Sequence, residues 1–314
     1  MKLKPESQIT LTQESLSTIL GAYGIYDFSF KAIDKGIENS SALIVGDHKK
    51  YVMRVYAQGK KDEDILFEIS FQDYLRELEI PIPKLRKDKN GDELLIVSID
   101  NKRWQVILMD FVEGQNATVS PSQELVSSLA TLQAKMHLLG AKFAKDATRP
   151  KRYWEDLRDN LASKIEDTMI GSQEVKDLIQ RIKSYHYSLS PDLPHGYNHL
   201  DLDFDGNVIT KDNRVNGIVD FDDLQYSPLV VCLGYSLWSV LHEGGVDAMR
   251  YYLRAYETVR PLTTAEYTAL PNVVFFRNYV MVVIRLLLQQ ENHSSKDVAD
   301  FIYLESIIPR LNFR

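Results

Sequence analysis

The chain has 314 residues, 44% hydrophobic and 26% charged, enough for two lobes that each carry an apolar core. Its 37 basic and 44 acidic residues leave a net charge of −7, which argues against a general nucleic-acid or anionic-membrane binder, because both need a positive field. Cys232 is the only cysteine, so no intrachain disulfide can form and a reducing, cytoplasmic compartment is expected.

The N-terminus, MKLKPESQIT, lacks the apolar stretch of a signal peptide. Phe28–Ile33 reads as an opening strand. Ala42–Val45 and Tyr51–Tyr56 flank the polar turn GDHKK and predict a hairpin. From Asp64 to Glu79, Phe67, Phe71, Tyr74, Leu75 and Leu78 recur at helical spacing, and Pro81 and Pro83 end the pattern. Glu93–Ser98 and Trp104–Met109 then flank Asp100 and Asn101 as a second hairpin.

From about residue 116 the signals turn helical. Ser120-Pro121-Ser122-Gln123 has the form of a capping box with proline at the first helical position, followed by the apolar face Leu125, Leu129, Leu132, Met136 and Leu139. Thr263 and Glu266 form a second capping-box candidate. The apolar run NVVFFRNYVMVVIRLLLQQ is interrupted by Arg277 and Arg285, which predicts a buried core helix and no membrane span. Between these helices lie a polar loop at 199–207 and two short strand-like pieces, Val208–Thr210 and Val215–Phe221. The expected class is α+β: a small antiparallel sheet with one helix over residues 1–112, and a larger, mainly helical lobe over 113–314.

The stretch 199–223 holds Asp201, Asp203, Asp205, Asp212, Asp220, Asp222 and Asp223. A solvated acidic loop accounts for its front half, but not for Asp220, which follows the apolar Ile218-Val219 and is costly to bury without a cation or donors. A calcium loop fits the spacing of Asp201, Asp203, Asp205 and Gly206, with Asp212 at the twelfth position. Against it, Pro191, Pro194 and Gly196 obstruct an entering helix, a strand-like segment follows, and the twelfth residue is not Glu. His195 and His199 have a spacing found in zinc sites, but no third ligand accompanies them. Phosphoryl transfer needs a carboxylate near the attacking hydroxyl and oxygen ligands for Mg²⁺ beside the phosphates. His199-x-Asp201, Asn207 and Asp220 supply that set in order.

HLDLDFDGNVI and GIVDFDD resemble the catalytic and metal-binding segments of the aminoglycoside phosphotransferase, choline kinase and type II homoserine kinase superfamily, which has a protein-kinase-like two-lobe fold. KGIENSSALIV, KYVMRVY, FEISFQDYLRELEIPIPK and VILMDFVEGQ resemble its phosphate loop, third strand, N-lobe helix and hinge, in that order. The resemblance implies a kinase using ATP, or alternatively GTP, with Mg²⁺ and a small-molecule hydroxyl acceptor. It makes Asp201 the base, with Asp203 as its rival, and Asn207 and Asp220 the metal ligands. Gly36, Ser40 and Ser41 would cover the phosphates, Arg54 would replace the usual phosphate-contacting lysine, and Glu68 would pair with Arg54. Backbone atoms of Met109, Asp110, Phe111 and Val112 would meet the base, and Asp222 and Asp223 would face an acceptor ammonium.

Two departures stand out. Asp201 to Asn207 is one residue longer than the family spacing. Cys232 stands where the family places an Asp that supports the catalytic loop, and these two features keep a catalytically weak nucleotide-binding relative as the alternative. A protein kinase is disfavoured, since neither a G-x-G-x-x-G loop nor an A-P-E segment is present.

Overall fold

The structure, a computed structural model, describes residues 8–33, 39–116, 121–143, 173–204, 206–288, 295–311 and 313. The chain divides into two compact units, Lys2–Glu113 and Gly114–Arg314.

In the first unit, β1 (Phe28–Ile33), β2 (Ser40–Gly46), β3 (Lys49–Val55), β4 (Leu95–Ile99) and β5 (Lys102–Asp110) form one antiparallel sheet in the order β1-β2-β3-β5-β4. Strand alternation sorts its two faces. Tyr51, Met53 and Val55 of β3 and Val106 and Leu108 of β5 join one apolar cluster, while Ile107 and Met109 join the other, with Val52 packed against it. The first cluster is closed by Leu16, Ile19 and Leu20 of α1 (Gln13–Ala22), the second by Ile65 and Ile69 of α2 (Asp62–Glu77). Each such aliphatic side chain contributes roughly 1.5–3 kcal/mol on burial.

Helix α1 corrects the expectation of a single helix in this lobe. Its start is a capping box in which Ser15, in place of the usual Glu or Gln, accepts the Thr12 amide at 2.9 Å while Thr12 Oγ1 accepts from Ser15 N at 3.1 Å. The hairpin turns are built on pairs of residues at positive φ, Asp47 and His48 (51° and 59°) and Asp100 and Asn101 (52° and 59°). That geometry suits two-residue hairpins, whose twist matches the strands.

The second unit is mainly helical: α3 (Gln123–Gly140), α4 (Gln173–Ser184), α5 (Leu229–Glu257), α6 (Thr264–Leu288) and α7 (Ser295–Ile307), with α3 and α6 both packed on α5. From Leu229 to Leu241, α5 is buried on every side, the pattern of a core helix. Helix α5 and most of α6 are long and apolar enough to cross a membrane, yet 72% and 61% of their most apolar windows are buried inside the fold. The cap of α3 is Ser122, whose side chain accepts from Leu125 N at 3.2 Å; the helix therefore begins two residues later than the expected Ser120 cap allowed. The Thr263–Glu266 box is present at α6, with bonds of 2.9 and 3.2 Å.

Two small ribbons hold the acidic stretch. β6 (His195–Asn198) pairs with β9 (Gln225–Pro228), and β7 (Val208–Lys211) pairs with β8 (Arg214–Ile218). β6 lies tight against the end of α3: a Cβ added at Gly140 would meet the Tyr197 carbonyl oxygen at 2.2 Å, so only glycine allows that approach.

Candidate active site

The loop leaving β6 is fixed residue by residue. His199 is fully buried; its Nε2 donates to the Val219 carbonyl at 2.9 Å and its Nδ1 accepts from Asp201 N at 3.3 Å. Burial holds its pKa below the ordinary imidazole value, so the neutral ring ties the front of the acidic stretch to its back. Leu200 is buried at φ 63°, which turns the chain sharply before Asp201.

Asp201 is gripped from two sides. Arg277 Nη2 of α6 donates to Oδ1 at 2.9 Å, and Asn207 Nδ2 donates to Oδ2 at 2.8 Å and to the Asp201 carbonyl at 2.9 Å. The Asn207 amide nitrogen is thereby committed, and its Oδ1 is the atom left for a cation.

Asp203 behaves differently. Its Oδ1 accepts from Gly206 N at 2.6 Å and Asn207 N at 3.2 Å, so it caps the turn that leads into β7. Burial, then the neighbouring Asp201 charge, push its carboxyl up to about 6. Asp205 and Gly36 lie outside the described residues. Strands, not helices, flank the loop, and Asp212 sits at φ 51° in the β7–β8 turn, so the calcium-loop frame is absent. His195 Nδ1 is taken by the Leu193 carbonyl at 2.6 Å, and among the described residues no group of three or more His, Cys, Asp or Glu could hold a metal.

Asp220 follows β8 at φ 68°, and its Oδ1 accepts from Asp222 N at 3.4 Å. Val219 N–H donates to the Asn207 carbonyl at 3.0 Å, which ties the Asn207 segment to the one bearing Asp220. Asn207 and Asp220 offer hard oxygen donors. Two such ligands fit Mg²⁺, which keeps waters and takes substrate phosphates for its remaining positions. Asp222 and Asp223, both half-buried, follow at once.

Beneath the loop, Gln133 of α3 donates to the Cys232 sulfur at 3.2 Å and to Ser236 Oγ at 2.9 Å, and Ser236 donates to the Leu202 carbonyl at 3.3 Å. Burial pushes the Cys232 thiol up to about 11, against hydrogen bonds from the Leu200 backbone and Gln133. The position that departs from the family is therefore built into a buried network that reaches the loop.

In the sheet unit, Arg54 stands on β3 opposite Ser41 of β2 and Ile107 of β5. Glu68 is buried on α2, where Lys60 Nζ lies 3.1 Å from Oε1 and the Tyr56 hydroxyl 3.5 Å from Oε2. Ser40 Oγ donates to the Ile9 carbonyl at 3.1 Å. At the end of β5, Met109 pairs with Val52, Asp110 N donates to Lys84 O at 2.9 Å and Phe111 N to Lys50 O at 3.2 Å.

Arg277, Gln133, Ser236 and Lys60 were not among the expected site residues. Arg277 carried a signal: an arginine inside a long apolar run must find an anion when buried.

Several known proteins are similar. Homoserine kinase of Rhodospirillum rubrum is 28% identical over 268 residues, covering 83% of this chain and 81% of the relative. Homoserine kinase of Gluconobacter oxydans is 28% identical over 278 residues, covering 84% of each. Among solved structures, an amicoumacin kinase bound to AMP-PNP, Ca²⁺ and Ami superposes with a TM-score of 0.71 at 17% identity, covering 96% of this chain and 95% of the other. A microcompartment-associated aminopropanol kinase gives 0.69 at 19% identity, covering 95% of each. These two likenesses establish the protein-kinase-like fold. Residues 29–269, well over half of the chain, match the phosphotransferase enzyme family APH, and the chain belongs to that family of phosphotransferases with small-molecule acceptors.

Proposed function

We propose that the protein is an ATP- and Mg²⁺-dependent kinase that phosphorylates a hydroxyl of a small, polar, amine-bearing acceptor: an amino alcohol, a homoserine-like metabolite or an aminoglycoside. GTP is the alternative donor, and the cytoplasm suits a chain whose one cysteine is a buried thiol. The observation that carries the reading is the Asn207 amide, whose nitrogen holds Asp201 at 2.8 Å. One side chain thus links the acid that receives a proton to an oxygen able to hold the metal.

In the reaction the acceptor hydroxyl loses its proton to Asp201 as its oxygen bonds to the γ-phosphorus. The bond from γ-phosphorus to the bridging oxygen breaks, and ADP leaves with that electron pair. Bound Mg²⁺ supplies charge neutralisation at the phosphates. Asp201 is preferred as base because it keeps the H-x-D spacing from His199 and its carboxylate is held in place by Arg277 and Asn207, whereas Asp203 caps a backbone turn. Arg54 takes the phosphate-contacting role; its guanidinium can bridge two phosphate oxygens. Asp222 and Asp223 offer negative charge to an acceptor ammonium. Homoserine and aminopropanol, named for similar kinases, are both amino alcohols. The Gln133–Cys232–Ser236 network and the Asp203 cap give the loop hydrogen-bond support beside its two departures from the family pattern, which supports the active reading over a catalytically weak relative.

The test is ADP release from Mg-ATP across a panel of L-homoserine, 1-amino-2-propanol, choline and aminoglycosides. Asp201→Asn is expected to lower turnover by about 10²–10⁴-fold, the worth of a general base, while nucleotide still binds. Asp203→Asn keeps a carbonyl oxygen for the turn and is expected to retain most activity. Full turnover in Asp201→Asn, or loss in Asp203→Asn alone, would refute the assignment.

A further inference from the structure

We propose that Arg277 is a positioning residue for phosphoryl transfer, acting through the carboxylate of Asp201; the inference rests on Asp201 being the base. Three observations carry it. Arg277 is itself buried, with 6% of its surface exposed, in the middle of an apolar helix, and it donates there to Asp201 Oδ1 at 2.9 Å, while its charge also reaches Asp203. Its guanidinium lies over the Tyr235 ring at 4.7 Å, a cation–π contact that holds the planar group on its face. The helix carrying it is locked in rotation by the next residue, Asn278, which is fully buried. Asn278 accepts from Trp238 Nε1 of α5 at 3.0 Å and donates to the Phe301 carbonyl of α7 at 3.1 Å.

The reach of Arg277 is also set by how closely α6 approaches α5. Gly234 makes the approach possible: a Cβ there would stand 2.4 Å from Val273 Cγ1, and Val273 is one helical turn before Arg277. On α5, Gly234 thus admits the helix, and its neighbour Tyr235 receives the guanidinium. With Asn207 on Oδ2 and Arg277 on Oδ1, rotation of the Asp201 carboxylate is blocked from both sides. Asn207 belongs to the same loop as Asp201, so it moves with the loop. Arg277 ties the carboxylate to the helical core. A base held by a rigid element retains its attack geometry, and a misplacement of about 1 Å costs about 10²-fold in rate.

The experiment measures ADP release from Mg-ATP with the panel acceptor that supports turnover and, in parallel, with water as acceptor. Its variants are Arg277→Gln, Arg277→Lys, Asp201→Asn and the double variant Arg277→Gln/Asp201→Asn. Arg277→Gln is expected to lower kcat about 10²-fold while the KM for Mg-ATP stays within about twofold, because the interaction acts on the transition state. Arg277→Lys keeps the charge without the planar group that stacks on Tyr235 and is expected to recover only part of the loss. In the Asp201→Asn background the further loss from Arg277→Gln is expected to vanish, since the residue acts through the carboxylate. Wild-type kcat in Arg277→Gln overturns the proposal, and so does an equal loss in both backgrounds. Wild-type turnover in Asp201→Asn overturns the base assignment itself and this proposal with it. Binding of a fluorescent ATP analogue reports folding, and Arg277→Lys carries the comparison, alone and with Asp201→Asn, should the glutamine variant not fold.

Discussion

Replacing Glu266 by Gln should destabilise the helical unit more than any surface charge substitution. Glu266 is fully buried; Arg260 Nη2 lies 2.7 Å from Oε1, and Oε2 accepts from Thr263 N at 2.9 Å and Thr263 Oγ1 at 3.1 Å. Arg260 is itself only 7% exposed. Glutamine fills the same space but removes the charge, leaving a buried guanidinium without its anion, a loss of about 3–5 kcal/mol. In a unit of about 200 residues each kcal/mol moves Tm by roughly 2–4 °C, so a fall of about 10 °C is expected. Glu124→Gln is the control. Its partner Arg214 is 3.2 Å away, but the two side chains are 56% and 74% exposed, and the pair is worth at most about 1 kcal/mol. Calorimetry at pH 7.5 and constant ionic strength reads both. If Glu266→Gln melts no earlier than Glu124→Gln, the buried pair is not holding the start of α6 and the reasoning fails. The double variant Arg260→Met/Glu266→Leu should recover much of the loss, because removing both charges leaves none unpaired.

The same network predicts a pH dependence. Arg260 donates to the Tyr256 hydroxyl at 3.1 Å, so Tyr256 gives its own proton to His137 Nδ1 at 2.6 Å and the buried imidazole stays neutral. Burial, then the Arg260 charge, hold His137 well below its usual value. A base depressed in the fold contributes stability above its unfolded pKa of about 6.5, and that contribution is lost as pH falls below it. Thermal melts should show stability declining below about pH 6.5, and His137→Asn should flatten that decline in part, since the depressed His199 acts in the same window. An unchanged slope in His137→Asn would count against a neutral buried ring. Gly140→Ala should cost roughly 1–3 kcal/mol by pushing β6 off α3, and should lower kcat as well, because β6 feeds the loop bearing Asp201. Unaltered turnover in a folded Gly140→Ala protein would show that this contact does not position the loop.

The sheet was legible because strand alternation and turn chemistry agree at each hairpin. Asp and Asn tolerate the left-handed backbone, and Asp100-Asn101 occupies it in the structure, as does Asp47 beside His48. α1 was missed because its cap uses Ser15 where the usual pattern has Glu or Gln, although Leu16, Ile19 and Leu20 already marked a face. β6 and β9 were missed for another reason. HGYN and QYSP are four residues long and carry no β-branched residue, so only tertiary pairing makes them strands.

The acidic stretch shows where local pattern stops deciding. Spacing left Asp201 and Asp203 as rivals, since one added residue can be absorbed on either side of a turn. The structure distinguishes the two by their partners. Asp203 accepts from backbone amides that any short polar side chain could cap, whereas Asp201 accepts a hydrogen bond from Arg277, 76 residues further along the chain, whose charge also reaches Asp203. A buried arginine in an apolar run demands an anion but cannot name one, and seven carboxylates lie between residues 199 and 223. The choice is made by the seating of α6, through the notch at Gly234 and the bonds of Asn278, and those contacts join positions too far apart for any spacing rule. The long-range contact therefore carries the information that the motif lacks: which carboxylate the core holds in place.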